Sequence, residues 1–318
     1  MNRRYYAITG ANSGLGAEAV RQLADYASSQ TSTQTTTIYL LCRNIDSANE
    51  TIQNISKQYP SSNITFTSIQ FDSSNRSSVK SAIKELTNNI SDEWILDGLL
   101  LNAGGFTSDK KGCLCESGAT VIAETNLIGH AALVDALIES KLIRKGSRVI
   151  FSGSEAALGE PFAYKWDDNL ESYVNILNGK RYKKYSPADG YGHIKALIAF
   201  YCSAIARRHC DIYFASVSPG STRNTNLIEQ GSFSAPLKTV IKGFIRLSGQ
   251  HDVSVGAKRY IDALLPDQEG WSYASGSFVL SKKGYIGDVC VATELKKGKV
   301  FSDESKQEYV YDAVKQSL

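Results

Sequence analysis

No block of like charge, no apolar run of membrane-spanning length, no zinc-type cysteine spacing and no internal repeat or interdomain linker marks this 318-residue chain. Each absence removes a class of function. A formal net charge of +3 and a pI near 8.4 are too mild for a nucleic-acid partner, which calls for a basic stripe or tail. The longest largely apolar stretch, Ala196 to Ala206, is interrupted by Ser203 and falls short of the ~20 residues of a membrane span, so no integral membrane segment is expected. Cys42, Cys113, Cys115, Cys202, Cys210 and Cys290 are scattered, which fits free thiols in a reducing compartment and no metal site. Sequons at Asn49, Asn54, Asn63, Asn75 and Asn89 then mean only a polar surface. Met1 to Arg4 leave no room for a signal peptide ahead of the first apolar run, so the expected location is the cytoplasm, or a soluble organellar lumen if a transit peptide has been removed. Small molecules remain as partners.

What is present starts within ten residues of the N-terminus. Tyr5-Tyr6-Ala7-Ile8 reads as a strand, Thr9-Gly10-Ala11-Asn12-Ser13-Gly14-Leu15-Gly16 as a glycine loop, and Ala17 to Ala24 as a helix. A strand, glycine loop and helix in that order aim backbone N–H groups and a helix dipole at a pyrophosphate. Gly10, Asn12, Ser13, Gly14, Leu15 and Gly16 are the candidate cradle.

Downstream, Ser28 to Thr37 reads as a long polar loop, and Ile38 to Cys42 as a continuous apolar run suited to a central parallel strand. Helix Ala48 to Tyr59, strand Ile64 to Phe71, a helix starting near Ser77 and the buried strand Leu99 to Leu101 follow. Alternating strands and helices predict an α/β fold, a doubly wound parallel sheet of the Rossmann type, in one domain over residues 1–318, with ligands outside the carboxyl strand ends. Ser275 to Leu280 reads as the last strand and Asp303 to Leu318 as a terminal helix.

The end of the second strand selects the cofactor. An acid there accepts hydrogen bonds from an adenosine ribose and repels a 2′-phosphate, whereas arginine attracts the phosphate. The chain has Cys42-Arg43-Asn44 and no acid until Asp46, which favours NADP(H); the plain alternative makes Arg43 a surface arginine. At Arg148 to Ser154 a strand ends in hydroxyls, and strand alternation puts Ser152 and Ser154 on one face, either of them available for chemistry. Tyr191 and Lys195 stand four apart on a helix and reach one ligand. A free tyrosine has a pKa of about 10, and a nearby ammonium favours its phenolate; lowering it to about 7–8 takes roughly 3–4 kcal/mol.

The spacing Gly10, Gly14, Gly16 after Thr9, with Asn102-Ala103-Gly104, Asn126, Ser154, Tyr191/Lys195 and Pro219-Gly220 in that order, resembles the short-chain dehydrogenase/reductase family over nearly the whole chain. Its carbonyl-reductase-like, retinol-dehydrogenase-like and protochlorophyllide-reductase-like branches share the long interval between Ser154 and Tyr191. The resemblance implies hydride transfer between a nicotinamide and a carbonyl carbon. It implies that Ser154, rather than Ser152, binds the substrate oxygen, that Tyr191 is the general acid, and that Lys195 binds the nicotinamide ribose. Asn126 would kink its helix and hold a water of the proton relay; the plain reading is a helix Asn bonded to its own backbone. Asp72 would contact adenine, unless it is only a helix N-cap. Asn102, Ala103 and Gly104 would lie beneath the cofactor, and Pro219, Gly220 and Thr222, or Thr225 one place late, would face the nicotinamide.

Residues 157–189 form an insertion whose Phe162, Tyr164, Trp166, Tyr173, Tyr182 and Tyr185 either wall a bulky, partly apolar substrate or pack among themselves. It precedes the helix that commonly makes family dimers, which favours a monomer over a homodimer. Residues 224–250 carry an amphipathic stripe where family members have a mobile lid. The function expected is an NADPH-dependent carbonyl reductase. Alternatives are reduction of a C=C bond in a large conjugated substrate, and a dinucleotide sensor without turnover.

Overall fold

The computed structural model describes residues 2–30, 34–60, 63–91, 93–106, 114–159, 164–182, 187–223, 250–266 and 270–318. Eight strands form one sheet: β1 (Asn2–Thr9), β2 (Gln34–Cys42), β3 (Ile64–Gln70), β4 (Gly98–Leu101), β5 (Arg148–Ser152), β6 (Tyr213–Val217), β7 (Ser277–Lys283) and β8 (Ile286–Val291). Their order is β3-β2-β1-β4-β5-β6-β7-β8. All neighbours are parallel except β7 and β8. The chain order reverses between β1 and β4, which opens the crevice at the carboxyl strand ends where such sheets bind ligands.

The helices are α1 (Gly14–Ser28), α2 (Ile45–Ser56), α3 (Arg76–Asn89), α4 (Val121–Glu139), α5 (Leu170–Leu177), α6 (Pro187–Arg208), α7 (Val253–Leu264) and α8 (Glu304–Lys315). Alternation along the strands sorts them into two layers. Tyr5, Ala7, Leu99, Leu101, Val149 and Phe151 face a core with α3, α4, α6 and α8, while Tyr6, Ile8, Leu100 and Ile150 face one with α1 and α7. The central strands are covered on both sides, which is why their runs are apolar without a break. Helix α4 is long and apolar enough to cross a membrane by composition, but 67% of that window is buried here as a core helix.

The structure corrects several boundaries. Strand β1 begins at Asn2 and β2 at Gln34, so the start of the first strand and the end of the expected polar loop belong to the sheet, where Asn2 pairs with Gln34 and Thr37 with Tyr5. Helix α2 starts at Ile45 because the Asn44 side chain accepts from the Ser47 N–H. Ser275 to Leu280 does not end the sheet: β8 returns antiparallel to β7 and lies outside it. The periodicity of β8 is poor, with Ile286, Gly287 and Asp288 exposed, since an edge strand has little to bury.

Candidate active site

The glycine loop is shaped by close approaches. Gly10 has φ +64°, and its N–H donates to the Leu41 carbonyl at 2.8 Å, which ties the end of β1 to β2. A Cβ on Gly16 would stand 2.1 Å from the Gly10 carbonyl oxygen and 2.7 Å from Asn102 Nδ2, so only glycine lets α1 start there. Gly14, at φ +52°, has nothing within 4 Å of where its Cβ would be, and Ser13 makes no side-chain cap, so the first turn of α1 faces open space with its N–H groups available. That is the shape a pyrophosphate requires. Asn102 Nδ2 donates to the Thr9 and Gly10 carbonyls at 3.0 and 3.3 Å, and the Ala103 N–H to Thr9 Oγ1 at 2.9 Å, so Asn102, Ala103 and Gly104 form the floor of the crevice.

At the second strand end Arg43 is exposed, one residue before the N-cap of α2. Asn12 Nδ2 donates to Ser47 Oγ at 3.1 Å, which joins the loop to the first turn of α2. Leu15 lies near Gly256, where a Cβ would meet it at 2.9 Å, so α1 and α7 touch at the cradle. Asp72 is not the cap of α3, a place taken by Asn75. Its Oδ1 instead accepts from the N–H and hydroxyl of Ser74 at 2.9 and 2.7 Å, closing its own turn.

Four side chains meet across the crevice. Ser154, half-buried just past β5, lies beside the Tyr191 phenol, whose pKa it lowers, and accepts from the Ala156 N–H at 3.2 Å. Lys195 Nζ donates to the Ser152 carbonyl at 2.8 Å and stands 5.5 Å from the centre of the Tyr191 ring. Phe106 covers Tyr191 with ring centres 4.4 Å apart. Ser152 does not share the face of Ser154: its hydroxyl meets Tyr260 of α7 at 2.7 Å, in the opposite layer. The strand stops at Ser152, so alternation no longer governs Ser154. Between them a Cβ on Gly153 would meet Phe278 Cε2 and Ser216 Oγ, both at 2.9 Å, which excludes a serine there.

Asn126 lies in a π-helical turn, Glu124–Ile128, inside α4. Its Oδ1 accepts from the Gly105 N–H at 3.0 Å, and its Nδ2 donates to the Gly105 and Ile122 carbonyls, each at 3.0 Å. The side chain therefore braces the turn after Gly104, where a Cβ would clash with Asn126 Oδ1 at 2.4 Å. The plain reading, an Asn bonded to its own helix, covers one of three bonds.

Burial dominates the electrostatics. Desolvation pushes the Tyr191 phenol up to about 12, against the lowering effect of Ser154, with a smaller upward push from Glu155. Desolvation pulls the Lys195 ammonium down to about 7. The expected balance, an ammonium drawing the phenol down, is thus reversed, because both groups are buried and Nζ is turned to the Ser152 carbonyl.

The Pro219-Gly220 turn is pinned from two sides. His251 Nε2 donates to the Pro219 carbonyl at 2.7 Å, and Thr222 pairs with His251 in a short parallel bridge. Thr222 reaches Gly256 of α7. Thr225 and 224–249, most of the stretch read as a lid, lie outside the described residues, as do Phe162 and Tyr185. Of the insertion, Trp166 stacks on Tyr173 and meets Phe200 edge-on, and Tyr173 stacks on Tyr309 of α8. Tyr164 differs: it stacks on His193 at 3.9 Å, and its hydroxyl reaches the Ala156 carbonyl over Gly192, next to Tyr191.

Three participants escaped the sequence. His130, 1% exposed, links Asn126 and Thr9: its Nδ1 lies 3.3 Å from the Asn126 carbonyl and its Nε2 3.2 Å from Thr9 Oγ1. A carbonyl only accepts, so Nδ1 carries the proton and the Thr9 hydroxyl donates to Nε2. Gly129-His130 in an apolar helix was the available signal. Glu155 and Arg259, 4% and 6% exposed, are the others, with no signal beyond an acid inside the apolar run after Ser154.

A doubly wound sheet, a glycine cradle at its reversal point and a Ser-Tyr-Lys cluster beside it define a dinucleotide-dependent oxidoreductase. A family model for short chain dehydrogenase matches residues 4–164. The chain belongs to the short-chain dehydrogenase/reductase family, whose members use nicotinamide dinucleotides. It is similar to the 3-keto-steroid reductase erg27 of Schizosaccharomyces pombe, 25% identical over 184 residues, which cover 49% of this chain and 54% of that protein. The match thus spans about half the length of that relative. Among solved structures, an L-sorbose reductase of Gluconobacter frateurii complexed with NADPH and L-sorbose shares the fold at TM-score 0.60 and 15% identity, over 87% of this chain and 94% of the other. A short chain dehydrogenase of Burkholderia cenocepacia in complex with NADP does so at 0.60 and 17%, over 86% and 94%.

Proposed function

We propose that this chain is an NADPH-dependent reductase of a ketone or aldehyde on a bulky, partly apolar small molecule. The observation that carries the reading is the clustering of Ser154, Tyr191 and Lys195: the Ser154 hydroxyl lies near enough to the Tyr191 phenol to oppose its rise in pKa, and Lys195 Nζ stands 5.5 Å from the centre of the Tyr191 ring. When bound, the nicotinamide supplies the hydride. Ser154 holds the carbonyl oxygen and Tyr191 donates its proton to it as general acid. With the phenol held near 12, Tyr191 is protonated across the neutral range, the form an acid needs. Lys195 binds the nicotinamide ribose, and Asn126 keeps the floor of the crevice in place for the proton relay.

Gly10, Asn12, Ser13, Gly14, Leu15 and Gly16 hold the pyrophosphate side, and Asp72 lies toward the adenine. Asn102, Ala103 and Gly104 lie beneath the cofactor, and Pro219, Gly220 and Thr222 border the nicotinamide. Arg43, exposed at the start of α2, takes the 2′-phosphate, and the helix N-terminus behind it adds attraction. Phe106 and Tyr164 give the substrate side aromatic walls, which suits a flat apolar ketone, the class named for the S. pombe relative.

Isothermal titration of NADPH and NADH into wild type and Arg43→Ala, followed by NADPH oxidation with a 3-keto-steroid and ketone panel, tests the reading. NADPH preference that collapses in the variant, with turnover abolished by Tyr191→Phe but nucleotide binding kept, supports it. Tighter NADH refutes the cofactor assignment, and binding without turnover of any carbonyl or conjugated olefin makes the chain a sensor.

A further inference from the structure

Directly after Ser154, Glu155 turns its carboxylate inward and accepts three hydrogen bonds. They come from the Ser218 hydroxyl, from the Ser281 N–H at 3.2 Å and from the Ser281 hydroxyl at 2.8 Å. Arg259 of α7 stands 3.9 Å from the same carboxylate. Its Nη1 donates to the Ser218 carbonyl at 3.2 Å and to Ser281 Oγ at 3.1 Å, and its Nη2 to the Gly287 carbonyl at 2.8 Å. Ser218 Oγ in turn accepts from the Gly220 N–H at 3.1 Å. Each donor named here has an acceptor, and the two charges are buried together, an arrangement in which a folded chain tolerates them.

The outcome is specific in space. The Ser218 hydroxyl and, through it, the Gly220 N–H are fixed to Glu155, the residue after Ser154, while the Ser218 carbonyl is fixed to Arg259. A Cβ on Gly220 would stand 2.9 Å from Arg259 Nη1, so the guanidinium also forms the wall behind the turn. Ser154 and the turn come from different strands, β5 and β6. Backbone pairing joins those strands, but it ends at Ser152 and Val217, short of both.

We infer that Glu155 and Arg259 are positioning residues for the reductase site: together they hold the Pro219-Gly220 turn against the Ser154 strand end, so that the nicotinamide end of the dinucleotide is received in one geometry. The inference rests on the reading of the site given above. Neither residue touches the reacting atoms; both act through the turn and through Ser154. The adenosine half of the dinucleotide lies on the other side of the sheet reversal, at Arg43 and Asn12, and does not depend on the pair.

That asymmetry provides the test. Dissociation constants are measured for NADPH and for 2′-phospho-ADP-ribose, which keeps the 2′-phosphate and lacks the nicotinamide, with wild type, Glu155→Gln and Arg259→Lys. Glu155→Gln keeps the shape and removes the charge; Arg259→Lys keeps the charge but cannot reach three acceptors. Expected is an NADPH affinity about tenfold weaker and a lowered kcat in each variant, as for loss of a charge-assisted hydrogen bond, with the affinity for 2′-phospho-ADP-ribose changed less than about twofold. Equal weakening of both ligands, or no change in either, overturns the inference and leaves the pair a plain structural bridge. If Glu155→Gln does not fold, Ser281→Ala, which takes one hydroxyl from the same carboxylate, carries the same comparison. A wild-type chain that binds neither ligand overturns the reading of the site and this inference with it.

Discussion

Replacing His130 by glutamine will flatten the acid side of the stability curve. His130 is wholly enclosed between Thr9, Asn126 and the Phe71 ring, which lies parallel to it with centres 6.1 Å apart. Burial pulls its pKa from 6.5 down to about 3, with the Lys195 cation adding to the effect and the Asn126 carbonyl opposing it. The unfolded chain therefore takes up a proton below about 6.5 that the folded chain refuses until about 3. Stability contributed by the neutral ring is full above pH 6.5 and is lost as pH falls through that window. Between pH 7.5 and pH 5 this amounts to ~2 kcal/mol, from 1.36 kcal/mol per pH unit over about one and a half units.

Lys195, held near 7, titrates in the same range, but it does so in both proteins and cancels in the comparison. At pH 7.5 the variant itself loses about 1–3 kcal/mol, because the Thr9 hydroxyl and the Asn126 carbonyl must find new partners. Urea unfolding of wild type and His130→Gln at the two pH values reads both effects. Wild type losing about 2 kcal/mol more than the variant on acidification is the expected result. Parallel losses would refute the buried neutral ring and with it the Thr9–His130–Asn126 link.

Gly16→Ala places a methyl 2.1 Å from a carbonyl oxygen of the cradle and cannot be relieved by a side-chain move. It should abolish measurable NADPH binding in titration calorimetry while the chain stays folded by circular dichroism. Gly129→Ala, with its methyl 1.9 Å from the Ser73 carbonyl, should lower the melting midpoint and displace Asn126, costing about 2–4 kcal/mol in denaturant unfolding. Lys195→Met removes an ammonium held near 7 and should leave the fold at least as stable at pH 7 while turnover falls by orders of magnitude, as read by melting and NADPH oxidation. Helix α8 lies along α6, with Tyr311 stacked on Tyr201 and Arg208 over Tyr311 at 3.7 Å; if α6 is the dimer helix that the family resemblance implies, α8 covers that face, and light scattering should report a monomer.

The fold was legible because its signals are local. Continuous apolar runs at β2, β4 and β5 and the glycine loop before α1 need only the period of a strand and the φ of a turn to be read. The order of Ser154, Tyr191 and Lys195 along the chain singled them out as candidates, and the structure brings those three side chains close together. Strand ends were read poorly at Asn2 and Gln34, where polar residues are held by pairing with a neighbour the sequence does not name. β8 was missed because an exposed edge strand has no pattern to show.

Sequence alone determined that this chain makes a doubly wound sheet and which glycine loop stands between its first strand and first helix, since periodicity and glycine placement are properties of short segments. Only the tertiary structure decided that Ser152 belongs to Tyr260 and Ser154 to Tyr191, and that Tyr191 is held up and Lys195 down. It also decided that Glu155, Arg259 and His130 are wired to the site from the end of β5, from α7 and from α4. Those outcomes depend on which groups are buried together, and burial is settled by the packing of elements far apart in the chain.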